Sequence, residues 1–223
     1  MRTIARADII DLVPYEQGFL YLQKEELPDG NIKASFYAYD QDGNTIFPVT
    51  RKNYLQYKFG KYYQKIVDQL DDFVFCEVAN LFNHTKVILY PDGDMLQFAP
   101  NGKLLQQGKL LYQAAPVSSP CEDGKNMWGV VPEKNAVVNY SFTEKRVLLR
   151  IGGGTSNAFN NPVSMSRFLD KLYVCSKDAC KIRTVSLENY VVRDYVTFQM
   201  PVLKYFRVYD HEYVQLLTGV YLL

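Results

Sequence analysis

The chain contains two histidines, His84 and His211, and both sit in turn-forming company: Asn83-His84-Thr85 and Asp210-His211-Glu212. Zinc centres and acid–base pairs draw heavily on imidazole. Two isolated histidines in turns predict neither a metal site nor a general base. The four cysteines are Cys76, Cys121, Cys175 and Cys180. Cys175 and Cys180 flank a hairpin turn, so a cross-strand disulfide is geometrically open to them. Cys76 and Cys121 supply no second pair for a four-ligand zinc site. Packed, reduced thiols are the expectation for all four.

Two glycine-containing loops resemble ligand cradles only in part. Gly152-Gly153-Gly154-Thr155-Ser156-Asn157 lacks the Lys-Ser/Thr that completes a phosphate loop, and no helix pattern follows it. Asp92-Gly93-Asp94 opens like a calcium loop but lacks the later ligands and the closing Glu. The polar run Ser118-Ser119-Pro120-Cys121-Glu122-Asp123-Gly124 contains no Gly-x-Ser-x-Gly elbow to activate a serine. A different chemistry is offered by Tyr54, Tyr57, Lys58, Tyr62 and Tyr63. Clustered tyrosines with a lysine make a recognition surface, because Tyr brings area and a hydrogen bond at low entropic cost. The same residues also suit packing between sheets, and aromatic payload favours that role. The expected inventory is therefore no catalytic residue, no metal, no cofactor, and that tyrosine cluster as the partner surface.

Strands separated by turn signals must position these groups. Gly18 to Leu22 is apolar, and Ile32 to Tyr39 runs into Asp40-Gln41-Asp42-Gly43-Asn44. Asp-Gly after a strand signals a hairpin, since its turn residues must tolerate positive φ. Lys86 to Tyr90 before Pro91-Asp92-Gly93 and Met95 to Phe98 before Ala99-Pro100-Asn101-Gly102 repeat the grammar. The stretch Asn53 to Leu70, interrupted by Gly60, reads as loop and strand.

Short apolar strands also recur. Those starting at Phe19, Phe73, Met127, Leu172 and Tyr213 lie 54, 54, 45 and 41 residues apart. Such spacing straddles the roughly 40 to 50 residues of a four-stranded propeller blade. Each is apolar on both sides, as an inner blade strand must be. The pattern predicts an all-β, five-bladed β-propeller, with residues 1–223 as one domain. From Val202 the last unit has room for three strands: Leu203 to Tyr209, Glu212 to Leu217, and Gly219 to Leu223. Its apolar end would be an exposed edge, so the N-terminal strand Thr3 to Ala7 is expected to complete it.

One stretch carries a family resemblance. Gly152-Gly153-Gly154, then Pro162-Val163, then Leu172-Tyr173-Val174, then Ile182-Arg183 together resemble one blade of the NHL-type propellers. That family places a Gly-Gly turn, a Pro entering the innermost strand, a Leu-Tyr-Val strand and an Ile-Arg strand in this order. Ala136 to Arg150 echoes the last two strands of a blade, and Met95 to Gln106 does so more faintly. Ser176-Lys177-Asp178-Ala179-Cys180 replaces the family's Asp-x-x-Asn. The resemblance implies a binding surface in most relatives, and metal-assisted hydrolysis or lyase chemistry in a minority.

Composition sets the class of partner. Aromatic residues reach 14%, with 18 Tyr and 13 Phe, which suits pleated sheet. The net charge is +1, from 25 basic and 24 acidic residues spread along the chain, so nucleic acid and anionic membrane have little to grip. The N-terminal residues lack the apolar core of a signal peptide, and no apolar run reaches spanning length. These features predict a cytoplasmic, monomeric binding or scaffold protein that offers loops to a protein or peptide. The alternative is a module for a small ligand or glycan, or a hydrolase or lyase using carboxylates at the central channel.

Overall fold

The computed structural model describes residues 1–60, 76–156 and 158–223. Two compact units divide the chain: Met1–Val74 with Phe206–Leu223, here the terminal unit, and Phe75–Tyr205, the middle unit. Nearly all regular structure is strand, and the strands form five four-stranded antiparallel sheets.

The first sheet runs β2 (Asp8–Tyr15), β3 (Gly18–Glu26), β4 (Ile32–Asp40), β5 (Thr45–Pro48). The second is β6 (Glu77–Asn80), β7 (Lys86–Leu89), β8 (Asp94–Phe98), β9 (Leu104–Lys109). A small hairpin, β10 (Leu111–Tyr112) and β11 (Ala115–Pro116), leads into the third. That sheet holds β12 (Ser118–Asp123), β13 (Asn126–Val131), β14 (Ala136–Ser141) and β15 (Arg146–Gly152). The fourth has β16 (Pro162–Phe168), β17 (Lys171–Ser176), β18 (Lys181–Ser186) and β19 (Val192–Thr197). The fifth comprises β20 (Val202–Val208), β21 (His211–Leu216), β22 (Gly219–Leu222) and, last, β1 (Arg2–Ala5).

The N-terminal strand therefore completes the last sheet, as the unpaired apolar end required. Arg2 opposes Leu222, Thr3 opposes Tyr221, and Ala5 opposes Val220. The strand starts and ends slightly earlier than the sequence suggests.

Burial explains the sequence periodicity. The second strand of each sheet is apolar on both faces: Phe19, Leu20, Tyr21 and Leu22 on β3, Met127, Trp128, Val130 and Val131 on β13. Each is flanked by other strands within its sheet and covered on both faces. The fourth strands β5, β9 and β19 are almost wholly exposed. The repeated apolar strand is thus the second of four, not the innermost.

Among the described residues, hydrophobic layers lie between sheets. Val87, Leu89, Met127 and Val138 pack in one, and Trp128, Val137, Leu172 and Val185 in the next, both in the middle unit. Phe19, Tyr39, Phe206 and Tyr213 belong to the third, in the terminal unit. Fully burying each large side chain contributes about 1.5–3 kcal/mol. In the middle unit β12 also lies beside both β6 and β16, so first strands neighbour one another, as inner blade strands do.

Two sequence expectations need correction. The second sheet's apolar strand is β7, so its anchor is Val87 and not Phe73; Phe73 lies outside the described residues. With Val87 as anchor the first two spacings become 68 and 40 residues (87 − 19 and 127 − 87), so the stretch between β5 and β6 lengthens only the first. Part of that stretch is helical: α1 spans Arg51–Phe59 where loop and strand were expected. Thr50 caps it, its hydroxyl accepting from the Asn53 N–H at 3.1 Å, and Gly60 terminates it with a left-handed φ of 73°. Gly60 is an end signal, not an interruption.

Candidate functional site

Connections at one end of the middle-unit sheets converge on a cavity of about 230 Å³. Its walls include Gln113, Glu133, Lys134, Asn135, Arg150 and Gly153. Three local structures bring them together. Gln113 and Ala114, with φ of 50° and 66°, turn the β10–β11 hairpin. Pro132–Lys134 is one 3₁₀ turn, and Asn135 ends it at φ 50°. Gly152, Gly153 and Gly154 all have positive φ and begin the link from β15 to β16.

Asn135 ties these pieces. Its N–H donates to the Pro132 carbonyl at 3.1 Å, and its own carbonyl accepts from the Gly153 N–H at 2.9 Å. Its side-chain oxygen accepts from the Asn161 N–H at 2.7 Å. One residue in the left-handed region thus clamps the β13–β14 turn to both ends of the β15–β16 link. Such local strain is the kind that accumulates at binding sites. Lys134, Arg150 and Glu133 have no ion pair among the described residues. The cavity therefore presents two cationic donors, one carboxylate and a rigid backbone, and its lining contains no Ser, Cys or His.

The residues singled out from sequence fall elsewhere. Tyr54 and Lys58 are buried on α1, and both donate to the Asp11 carboxylate on β2, Tyr54 at 2.6 Å. These contacts tie α1 to β2. Tyr57 is 56% exposed and lies 5.1 Å from the Tyr15 ring. Tyr62 and Tyr63 lie outside the described residues. His84 turns β6 into β7 with φ 59°, and His211 begins β21, its Nδ1 2.9 Å from the Gln41 amide nitrogen. His84 is in a turn as expected, whereas His211 is the first residue of β21, just after the Tyr209-Asp210 turn and not at its tip.

All four cysteines are free. Burial pushes the Cys121 and Cys175 thiols up to about 12, which keeps them protonated and unreactive. Burial also brings the Lys86 ammonium down to about 8; its Nζ donates to Asn80 at 2.5 Å. The carboxylates on first strands of the middle unit are already engaged. Glu77 accepts from the Ser119 backbone N–H, and Arg167 pairs with Glu122 and Asp123. Among the described residues no group of three or more His, Cys, Asp or Glu could hold a metal. No helix among them is long and apolar enough to cross a membrane.

The sequence reading missed Asn135, Lys134, Arg150 and Gln113. One local signal was available for the first: Pro132-Glu133-Lys134-Asn135 is a Pro-started turn ending in a residue that tolerates αL.

No family model matches the sequence, and neither does any curated protein. Solved structures do resemble the fold. Virginiamycin B lyase from Staphylococcus aureus shares 13% identity, with 96% of this chain and 79% of that one covered, at a TM-score of 0.57. A streptogramin B lyase shares 11%, covering 97% and 80%, at 0.56. Saccharomyces cerevisiae Sqt1 shares 12%, covering 96% and 71%, at 0.52. At such identities the likeness is one of fold, and the five four-stranded sheets are the blades of a β-propeller.

Proposed function

We propose that this chain is a non-enzymatic binding propeller of the NHL type, presenting the Gln113, Glu133–Asn135 and Gly153–Gly154 loops to a peptide segment of a protein partner. The observation that carries the proposal is the Asn135-clamped cavity. At about 230 Å³ it falls below the roughly 300–1,000 Å³ of small-molecule pockets, so it suits one or two side chains of a longer ligand. Loops held by backbone hydrogen bonds lose little entropy on binding, which favours affinity. The exposed Tyr57 offers a separate aromatic contact. Free thiols fit a reducing compartment, which supports a cytoplasmic location.

A lyase reading is the alternative. One Staphylococcus aureus lyase structure is described as catalytically inactive after a histidine was replaced. Here histidine chemistry would have to use His84, in the β6–β7 turn, or His211, at the start of β21.

Selection of displayed random peptides on the full chain tests the proposal. Selected peptides should lose about tenfold or more in affinity for Lys134→Ala/Arg150→Ala, since charge-assisted contacts are the strong ones. Peptides that bind that variant unchanged would overturn the assignment.

A further inference from the structure

The sheet β16–β19 treats its two faces differently. On one face Asp194 pairs with Lys181 at 2.6 Å and with Arg183 at 2.8 Å. On the other, Lys171 opposes Ser186 and Arg193 opposes Thr184 in the strand register. Thr184 and Ser186 are two apart on β18, so all four side chains share that face. Among the described residues neither the Lys171 nor the Arg193 side chain has an ion pair or hydrogen bond.

These four residues, with Asn189 and Val191, line a second cavity of about 230 Å³. No carboxylate is in its lining. Two of the acceptors around it are already engaged. The Ser186 hydroxyl oxygen accepts from the Glu188 N–H at 3.3 Å, and the Asn189 side-chain oxygen accepts from the Val191 N–H at 3.2 Å. The donors available are an ammonium, a guanidinium, two hydroxyl hydrogens and the Asn189 amide NH₂. Two unneutralised cations with neutral donors match the charge and lone pairs of a tetrahedral oxyanion.

We infer that this face of the fourth blade binds a phosphate-type oxyanion, held by Lys171 and Arg193 with Thr184, Ser186 and Asn189 as neutral donors. The site is separate from the Asn135-clamped cavity, shares no lining residue with it, and does not depend on the function proposed for it. Free inorganic phosphate and the phosphoryl group of a phosphorylated side chain share the recognised chemistry.

Amide chemical shifts of the full chain, titrated at constant ionic strength, test the inference with two probes, inorganic phosphate and O-phosphoserine. Saturable shifts should appear at Ser186, Asn189, Val191 and Arg193. Lys171→Ala and Arg193→Ala should each weaken binding by about tenfold, and the double variant should abolish it. Lys181→Ala, on the paired face, should leave affinity within about twofold. Tighter binding of O-phosphoserine assigns the site to a phosphorylated side chain, and phosphate binding at least as tightly assigns it to the free ion. An absence of saturable shifts with both probes overturns the inference. So do shifts that survive in a folded double variant.

Discussion

The fourth and fifth blades reach the same four-stranded arrangement by opposite routes. Pro162 to Thr197 folds as one contiguous meander in which every pairing is between chain neighbours. The fifth blade takes its fourth strand from the other end of the chain, so β1 must find β22 across more than two hundred residues. Local hairpins bring together residues that are already close in the chain. The long-range pairing needs a shaped contact, and Gly219 supplies it. Gly219 has φ +140°, and a Cβ placed there would stand 1.9 Å from the Ala5 carbonyl oxygen. The first blade uses the same device locally, where a Cβ at Gly18 would stand 2.1 Å from the Tyr39 carbonyl oxygen, whereas turn tips such as Gly124 leave room for a side chain.

Gly124 makes the contrast measurable. It is the first turn residue between β12 and β13, with φ +65° and open space where a Cβ would go. Gly219→Val should lower unfolding stability by about 4 kcal/mol, read as a shifted urea midpoint, because backbone clash and strain add. Deletion of residues 1–5 should lose a similar share. A Gly219→Val chain with an unchanged midpoint would break the comparison.

The second-largest effect is expected at the helix inserted before the second blade. Lys58 and Asp11 have side chains only 4% and 19% exposed. Asp11→Asn removes the carboxylate from a buried cation, and on the order of 3 kcal/mol should be lost. Thermal melts of Asp11→Asn beside Tyr57→Ala check this, since the exposed Tyr57 should cost well under half as much.

Smallest are the effects at the hairpin tips. Gly124, Leu169 and Tyr209 occupy the same turn position in three blades, with φ of 65°, 54° and 50°. Gly124→Ala should cost about 1 kcal/mol, and Leu169→Gly should gain up to about 1 kcal/mol by releasing a branched side chain from αL. Denaturant curves of equal slope would sharpen the view that contiguous blades absorb turn changes. A loss for Leu169→Gly would show instead that its exposed side chain makes a stabilising contact.

Legibility followed the range of the interactions. Leu172-Tyr173-Val174 and Ile182-Arg183 were readable because strand alternation and turn chemistry are local. The edge strand β1 was readable because an apolar C-terminal strand cannot stay unpaired. α1 was not, since its helical periodicity is faint and a Thr50 cap is easily passed over in a tyrosine-rich run. Tyr54 and Lys58 were readable as a cluster suited to packing, but the residue they pack on was not. That residue is Asp11, more than forty positions earlier.

Alternation, turn residues and blade-length spacing were enough to establish an all-β chain of five repeating sheets, because those signals act over a few residues. Both cavities had to await the tertiary structure. Asn135 meets Gly153 and Asn161 through a long-range clamp, and Lys171 reaches the face of Arg193 only through the register of three strands. Charge left unpaired on one face of a sheet is a property of where side chains meet, and composition averages it away.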